Sequence, residues 1–271
     1  MYTDTIKKCS NNAERIVKLA DSNPLGFWIS SAMAGAYVGI GIILIFTFGG
    51  LVDPSIRPLV MGATFGIALT LVIIAGSELF TGHTMFLAFG AITGQISWKD
   101  NLRVLPQTWM GNLIGSVFVA YLFFLAGGGS LLPDPKSFLH AAALGKTMAP
   151  ASVLFFKGIL CNWLVCLAIW MCQRVEGTGK FIAIWWCLLA FIGAGFEHSI
   201  ANMTIFALSY FGNHSDAFTL AGIGHNLLWV SLGNIVSGAI FMGFGYWFAT
   251  PKNERPVFEK DVEVAAVKAK A

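Results

Sequence analysis

The sequence has few charged residues, since Asp, Glu, Lys and Arg together make up only 11% of its 271 positions. An average soluble domain contains about 25% of these residues, so the composition excludes a protein whose surface is mainly in contact with water. The net charge of only +3 gives no reason to expect a nucleic-acid partner. The five cysteines include no CxxC pair, and we interpret them as apolar filling side chains rather than redox or metal ligands.

Catalytic motifs are also missing. No HExxH, Walker A or GxGxxG pattern occurs in the chain, which argues against a hydrolase, nucleotidase or kinase. We expect no enzyme activity, no cofactor and no metal. The one alternative from another class is a membrane redox protein that holds haem between two histidines on facing helices. That alternative requires two histidines at matching depth, whereas we expect only His198 to lie deep within a span.

Apolar sequence is abundant instead, at 56% of the residues. A helix needs about 20 mostly apolar residues to cross a bilayer, and six stretches of this length or more occur at 25–48, 59–93, 107–126, 151–172, 181–211 and 219–249. The pattern predicts an all-α polytopic membrane protein with six transmembrane helices. We divide it into a single channel domain over 1–255, with an amino-terminal segment at 1–24 and a six-helix bundle at 25–250, and a tail at 251–271.

The distribution of basic residues predicts the orientation of the chain, because cytoplasmic loops carry an excess of Lys and Arg. Thirteen of these residues fall on one predicted side, namely Lys7, Lys8, Arg15, Lys18, Lys99, Arg103, Arg174, Lys180, Lys252, Arg255, Lys260, Lys268 and Lys270. Three fall on the other, namely Arg57, Lys136 and Lys146. No cleavable signal peptide is evident. We therefore expect a multi-pass protein of the bacterial inner membrane with both termini in the cytoplasm.

Two halves of the chain share a pattern. Glu78 and Glu197 each lie at a break rich in small residues, and a Gly-Asn pair follows 34 and 37 residues later, ending at Asn112 and Asn234. This spacing indicates an internal repeat of three spans. Because three is odd, the second copy must cross the membrane in the opposite direction, which gives inverted repeats.

The second and fifth apolar stretches, at 59–93 and 181–211, are longer than one simple span requires. Both are interrupted by polar residues, and non-helical backbone at membrane depth is tolerated only where it is buried in protein or lines a polar cavity. We therefore predict that the second and fifth helices are broken. Paired broken helices at corresponding positions point to a permeation site.

The ionisable residues at the breaks are candidates for transport, because such residues inside a membrane usually face protein or water. We interpret Glu78 and Glu197 as structural braces that accept hydrogen bonds from backbone N–H groups freed by the breaks. His198 is a candidate donor to an anion, although a histidine in a span is often only a packing residue. Thr81 is either a donor or a helix cap. Lys146 either concentrates anions at a pore mouth or extends to the interface.

Three segments together resemble the formate/nitrite transporter family, and within it the bacterial nitrite channels. They are Phe196–Met203, Glu78–Thr81 and Gly158–Cys166. The resemblance extends over about residues 1–255. It implies a homopentamer of an aquaporin-like fold in the lipid bilayer, with one pore in each protomer that passes a small monovalent weak-acid anion, most simply nitrite. Formate or hydrosulfide passage, and proton-coupled carriage, remain alternatives.

The resemblance also implies roles for individual residues. The expected substrate pathway contains His198, Thr81, Lys146, Asn162 and Asn234. The expected periplasmic constriction contains Phe65, Val165 and Phe191, and the expected cytoplasmic constriction contains Leu69, Leu79 and Phe80. One departure concerns Gly26, which follows Pro24-Leu25 where formate channels tend to carry a lysine. This departure makes the cytoplasmic funnel less basic and weakens a formate assignment.

Overall fold

The computed structural model describes residues 1–258, and every regular element in that part of the chain is a helix. Five helical segments in it are long and apolar enough to cross a membrane. A sixth crossing is formed by two shorter apolar helices, Thr178–Gly193 and Ser199–Phe211. The predicted all-α fold with six spans is therefore confirmed. Of the predicted tail at 251–271, residues 259–271 lie outside the described residues.

The first helix, α1 (Thr3–Ser22), precedes the six spans and is amphipathic. Its apolar side chains recur at helical spacing and are buried, namely Ile6, Cys9, Ala13, Ile16 and Ala20. This face packs mainly against α5 (Phe80–Ile92). The amino-terminal segment is thus part of the folded bundle and not merely a leader to it.

The second and fifth spans are broken, as predicted. The second consists of α3 (Arg57–Thr64), α4 (Gly66–Thr70), a wide π-helical turn (Leu71–Gly76), an extended break at 77–79 and then α5. The fifth consists of α9 (Thr178–Gly193), a break at 194–198 and α10 (Ser199–Phe211). Each first half ends near a glycine with positive φ, 83° at Gly76 and 70° at Gly195. Only glycine adopts this backbone readily, so these two residues let the chain leave the helix axis.

The remaining elements complete the bundle. They are α2 (Pro24–Leu51), α6 (Trp98–Leu125), α7 (Phe138–Met148), α8 (Ala151–Cys172), α11 (Leu220–Val236), a second wide turn (Ser237–Phe244), α12 (Gly245–Ala249) and a short 3₁₀ helix (Lys252–Glu254). Helix α6 begins nine residues before the apolar stretch predicted to start at 107, because Ser97 and Asp100 form a reciprocal capping box.

Small residues set the distance between the first and third spans of each repeat. A Cβ atom added to Gly35 on α2 would collide with the backbone carbonyl of Asn112 on α6. In the second repeat, a Cβ atom on Gly233 of α11 would collide with the carbonyl of Phe155 on α8. The α2–α6 and α8–α11 pairs are therefore packed backbone against backbone, as small-residue spacing in membrane helices predicts.

The two ends of the described chain lie together. The Met1 ammonium group is 3.5 Å from a carboxylate oxygen of Glu254. The backbone N–H of Phe258 donates to the carbonyl of Thr93, at 2.7 Å. Six crossings return the chain to the end of the bundle at which it began, as the predicted even number of spans requires.

Candidate functional site: a pore at the two helix breaks

The first break is closed by one side chain of α6. The amide oxygen of Asn112 accepts the backbone N–H of Phe80, the first residue of α5, at 2.9 Å. Its amide nitrogen donates to the carbonyls of Ser31 and Glu78, at 2.7 and 2.9 Å. A helix start leaves backbone N–H groups without partners, so Asn112 provides one of the missing acceptors and also joins α2 and α6 to the break.

The second break is closed in the same way by α11. The amide oxygen of Asn234 accepts the backbone N–H of Ser199, at 3.1 Å, and its hydroxyl, at 2.8 Å. Its amide nitrogen donates to the carbonyls of Gly158 and Glu197, at 2.8 and 3.2 Å. The Gly-Asn pairs that identified the repeat in the sequence are thus its equivalent structural joints.

Glu78 and Glu197 are bound to basic and amide side chains rather than to freed backbone N–H groups. Arg15 Nη1 and Nη2 lie 2.7 and 3.2 Å from the two carboxylate oxygens of Glu78. Lys146 Nζ lies 2.7 Å from Glu197. The expectation of backbone donors was wrong in this respect, because the two asparagines cap the breaks and a buried carboxylate is stabilised best by a charged partner.

A second donor reaches each glutamate from five residues further along the chain. His83 Nε2 is 2.8 Å from Glu78, and Asn202 Nδ2 donates to Glu197 at 2.6 Å. Because a carboxylate can only accept, His83 donates from Nε2. Asn202 also donates to Asn226, at 2.9 Å. Each break therefore holds a buried carboxylate with one cation and one further donor.

His198 lies at the end of the second break, in extended backbone immediately before α10. Its Nδ1 accepts the backbone N–H of Ala201, at 3.1 Å. The proton of the neutral ring is then on Nε2, which is 3.1 Å from the hydroxyl oxygen of Thr81. The fold thus presents a neutral imidazole whose one N–H donates to Thr81.

Thr81 and the predicted pathway asparagines belong to one buried cluster. The amide nitrogen of Asn162 donates to the carbonyls of Thr81 and Asn234 and to the hydroxyl of Thr84. Both asparagines are fully buried, and neither lines the cavities described below. The structure therefore places them around the breaks as joints, and their predicted contact with an ion stays a prediction.

Two cavities enter the bundle from opposite ends. The amino-terminal vestibule has a volume of about 420 Å³, and its wall includes Arg15, Glu78, Leu79 and His83. The Lys146 vestibule has a volume of about 380 Å³, and its wall includes Lys146, Phe191 and His198. Each of the two vestibules therefore contains a basic side chain next to an apolar wall.

A small chamber of about 10 Å³ lies between the vestibules. It shares Leu79 with the amino-terminal vestibule, and Phe191 and His198 with the Lys146 vestibule. The sequence-predicted constriction residues in its wall are Phe65, Leu69, Leu79, Val165 and Phe191. Phe80 is not in this wall, although it is buried beside it at the start of α5. The chamber is too small to hold an ion with its water shell.

The sequence did not identify three of the residues that form the breaks. Arg15, His83 and Asn202 were not assigned to the site. The expectation that only His198 lies deep within a span was wrong, because His83 on α5 is 3% exposed and bound to Glu78 and Thr108. Two signals in the sequence could have identified these residues. One is a basic residue on the amphipathic α1, and the other is a hydrogen-bond donor five residues after each glutamate.

Comparisons with known proteins agree with this geometry. The sequence profile of formate/nitrite transporters matches residues 3–248. The chain is 74% identical over 260 residues to the nitrite transporter NirC of Escherichia coli K12, covering 96% of this chain and 97% of that protein.

Two solved structures are also similar. One, described as an FNT family ion channel, is 73% identical and has a TM-score of 0.91, covering 92% of this chain and all of the other. The second, a pentameric formate channel with formate bound, is 28% identical with a TM-score of 0.72, covering 85% of this chain and 98% of the other. On its sequence profile, its relatives and its fold, this chain belongs to the formate/nitrite transporter family of membrane transport proteins and is not an enzyme.

Proposed function

We propose that the protein passes nitrite across a bacterial inner membrane, through a pore in each protomer whose narrowest part is the chamber at His198. The observation that carries this proposal is the pairing of His198 Nε2 with Thr81 between two vestibules that open at opposite ends. The 74% identity to a nitrite transporter supports the choice of substrate.

The walls of the chamber determine how an anion would cross. Apart from His198, the side chains that line it are apolar, so an ion must lose most of its water there, and desolvating a charge is costly. The N–H of His198 would offset part of this cost by donating to the ion instead of to Thr81, which is fully buried behind this wall. A donor without permanent charge binds the ion weakly enough to release it, as conduction requires.

A weak-acid anion has a second route through the same chamber. It can take up a proton at the chamber mouth and cross as the neutral acid, which avoids the cost of a bare charge. The bond from the Ala201 N–H to Nδ1 favours a neutral His198, so the proton would come more readily from water than from this ring. Proton-coupled carriage therefore remains the alternative mechanism for the same pathway.

Lys146 is the cation next to the second break in this proposal, and Arg57 is the other basic side chain in the wall of the same vestibule. The ammonium group of Lys146 is bound to Glu197 and its side chain is still 21% exposed, so it contributes a positive potential at the wall while bracing the second break. Lys146→Gln should therefore slow uptake most at low nitrite concentration. An equal loss at every concentration would contradict the vestibule role.

The decisive experiment measures nitrite, formate and lactate flux in proteoliposomes at two pH values, with and without an imposed voltage. We expect nitrite to pass, lactate to be excluded by size, and the voltage response to distinguish an ion channel from proton-coupled carriage. Nitrite flux no greater than in protein-free liposomes would overturn the proposal.

Formate is the second candidate substrate. The similar fold of a pentameric formate channel with formate bound, at 28% identity, is the observation that favours it. The same assay separates the two by the ratio of their initial rates at equal concentration. Hydrosulfide can be tested as a third small anion in the same liposomes.

We also propose that the protein is a homopentamer with its termini in the cytoplasm. Large apolar side chains are exposed on the outer faces of the helices, for example Ile114, Phe118 and Leu122 on α6, and such faces suit lipid or neighbouring protomers. Native mass spectrometry in mild detergent should show five chains, and stable monomers or trimers would contradict this. Labelling of the cysteine introduced by Thr3→Cys, in sealed vesicles of known orientation, tests whether the amino terminus lies in the cytoplasm.

A further inference from the structure

The wall of the amino-terminal vestibule contains a carboxylate that an incoming anion must pass. Glu78 lines this cavity next to Leu79, which also lines the chamber. Its side chain is only 5% exposed. An unpaired negative charge at this position would repel a permeating anion at the mouth of the chamber, and low local dielectric strengthens such repulsion.

Arg15 neutralises this carboxylate from outside the repeat. It binds both oxygens of Glu78, and a two-point contact between a guanidinium and a carboxylate is the most directional ion pair that side chains form. Arg15 belongs to α1, which precedes the six spans. Its own side chain is 54% exposed, so the outer edge of the guanidinium faces the water of the vestibule.

The second repeat has the same arrangement at the opposite end. Glu197 is bound by Lys146, which also comes from a helix outside the three spans, and by Asn202 at the position that His83 occupies in the first repeat. Glu197 itself is not in the wall of the Lys146 vestibule. The equivalence of the partners therefore indicates that pairing the glutamate is a requirement of both breaks, and not an accident of how α1 packs.

We propose that Arg15 is a positioning residue of the amino-terminal vestibule, where it masks the charge of Glu78 and so lets anions reach the chamber. This role makes α1 part of the permeation pathway. The inference rests on the proposed passage of a small anion. Arg15 acts through Glu78, so removing its charge should matter only while the carboxylate remains.

The chain offers a matched control in a second ion pair that holds the same helix, α1. Arg103 on α6 binds Asp21 at the end of α1, at 2.7 Å, and Arg103 lies outside the wall of the vestibule. Arg103→Gln therefore removes a second ion pair that holds α1, without changing the charges that face an anion.

The experiment compares Arg15→Gln, Arg15→Lys, the double variant Arg15→Gln/Glu78→Gln and Arg103→Gln as purified assemblies in proteoliposomes. Initial nitrite rates are normalised to folded protein. We expect Arg15→Gln to lower the rate about tenfold or more. The lysine variant and the double variant should stay within about threefold of wild type, and Arg103→Gln should match it.

Three outcomes would overturn the inference. They are a wild-type nitrite rate in Arg15→Gln, an equal loss of rate in Arg15→Gln and in the double variant, and an equal loss of rate in Arg15→Gln and in Arg103→Gln. The third outcome would show that α1 only needs to be docked. If Arg15→Gln does not fold, the double variant decides, because poor transport by a folded double variant contradicts charge masking. Failure of the proposed function is distinguishable, since the wild-type liposomes would then pass no nitrite.

Discussion

The two helix breaks are built on the same frame but differ in the side chain that they present to the chamber. Leu79 and His198 both follow a glutamate directly, and both have extended backbone, with φ of −100° and −111°. Thr81, which accepts from His198, corresponds in the second repeat to Ile200. The comparison teaches that duplication has preserved the joints, whereas the polar side chain in the chamber wall, His198, and its partner Thr81 come from positions that are not equivalent.

The largest expected effect tests the ion pairs of the two breaks. Lys146→Gln leaves Glu197 buried beside an uncharged partner, and breaking a buried pair costs about 3–5 kcal/mol. Arg15→Gln should destabilise less, because Arg15 is more exposed, at 54% against 21% for Lys146. Thermal unfolding in detergent measures both. A larger loss of thermal stability in Arg15→Gln than in Lys146→Gln would contradict this interpretation. So would a double variant Lys146→Gln/Glu197→Gln that is no more stable than Lys146→Gln.

The asparagine joints should show the next largest effect. Asn234→Ala removes two acceptor and two donor contacts, and each buried group left unpaired costs about 1–3 kcal/mol. Asn112→Ala removes three contacts and should be the milder change. The melting temperatures of the two variants provide the comparison. If Asn112→Ala is the more damaging, the joints are not equivalent.

Exchanging the residues at the chamber tests the chemical difference between the breaks. His198→Leu makes the second break resemble the first and removes the only N–H in the chamber wall. Loss of a hydrogen bond to a charged group costs about 1.5–3 kcal/mol, so the nitrite rate should fall roughly ten- to a hundredfold. His198→Asn retains a donor and should lose less. An unchanged rate per folded assembly in His198→Leu would reduce His198 to a packing residue.

The smallest effect is expected at the partner of His198. Thr81→Val keeps the shape but removes the hydroxyl. Loss of a neutral hydrogen bond of about 0.5–1.5 kcal/mol should lower the nitrite rate roughly two- to twelvefold. Ile200→Val is the matched control at the equivalent position of the second repeat, where no polar group changes. Equal effects in the two variants would show that packing, rather than the hydroxyl, matters at Thr81.

The fold could be predicted from sequence wherever length and composition carried the signal. The stretches at 59–93 and 181–211 are too long for one helix, and this excess correctly indicated breaks. Glu78 and Glu197 indicated the positions of the breaks, and the Gly-Asn pairs indicated the internal repeat. These features are local in sequence, so their pattern survives without knowledge of the fold.

The partners within the site could not be predicted, because they depend on tertiary docking. Arg15 reaches Glu78 from 63 residues away, and Lys146 reaches Glu197 from 51. Arg15 lies on a helix whose apolar spacing was visible, but no pattern along the chain says which surface that helix covers. From the sequence we expected backbone N–H donors for both carboxylates, so their charged partners became identifiable only in the folded structure.

The joints have a mechanical consequence. One amide of Asn112 fastens α2, the break and α5 at a single point, and Asn234 does the same for α8, its break and α10. Each fastening lies within one repeat. Tilting one repeat against the other, the motion by which many transporters alternate their access, would instead have to rupture the bonds between the repeats, from His198 to Thr81 and from Asn162 to Thr81 and Thr84. Within each repeat, the fastening fixes the backbone that presents Leu79 or His198 to the chamber, so the break and the spans beside it would move as one unit.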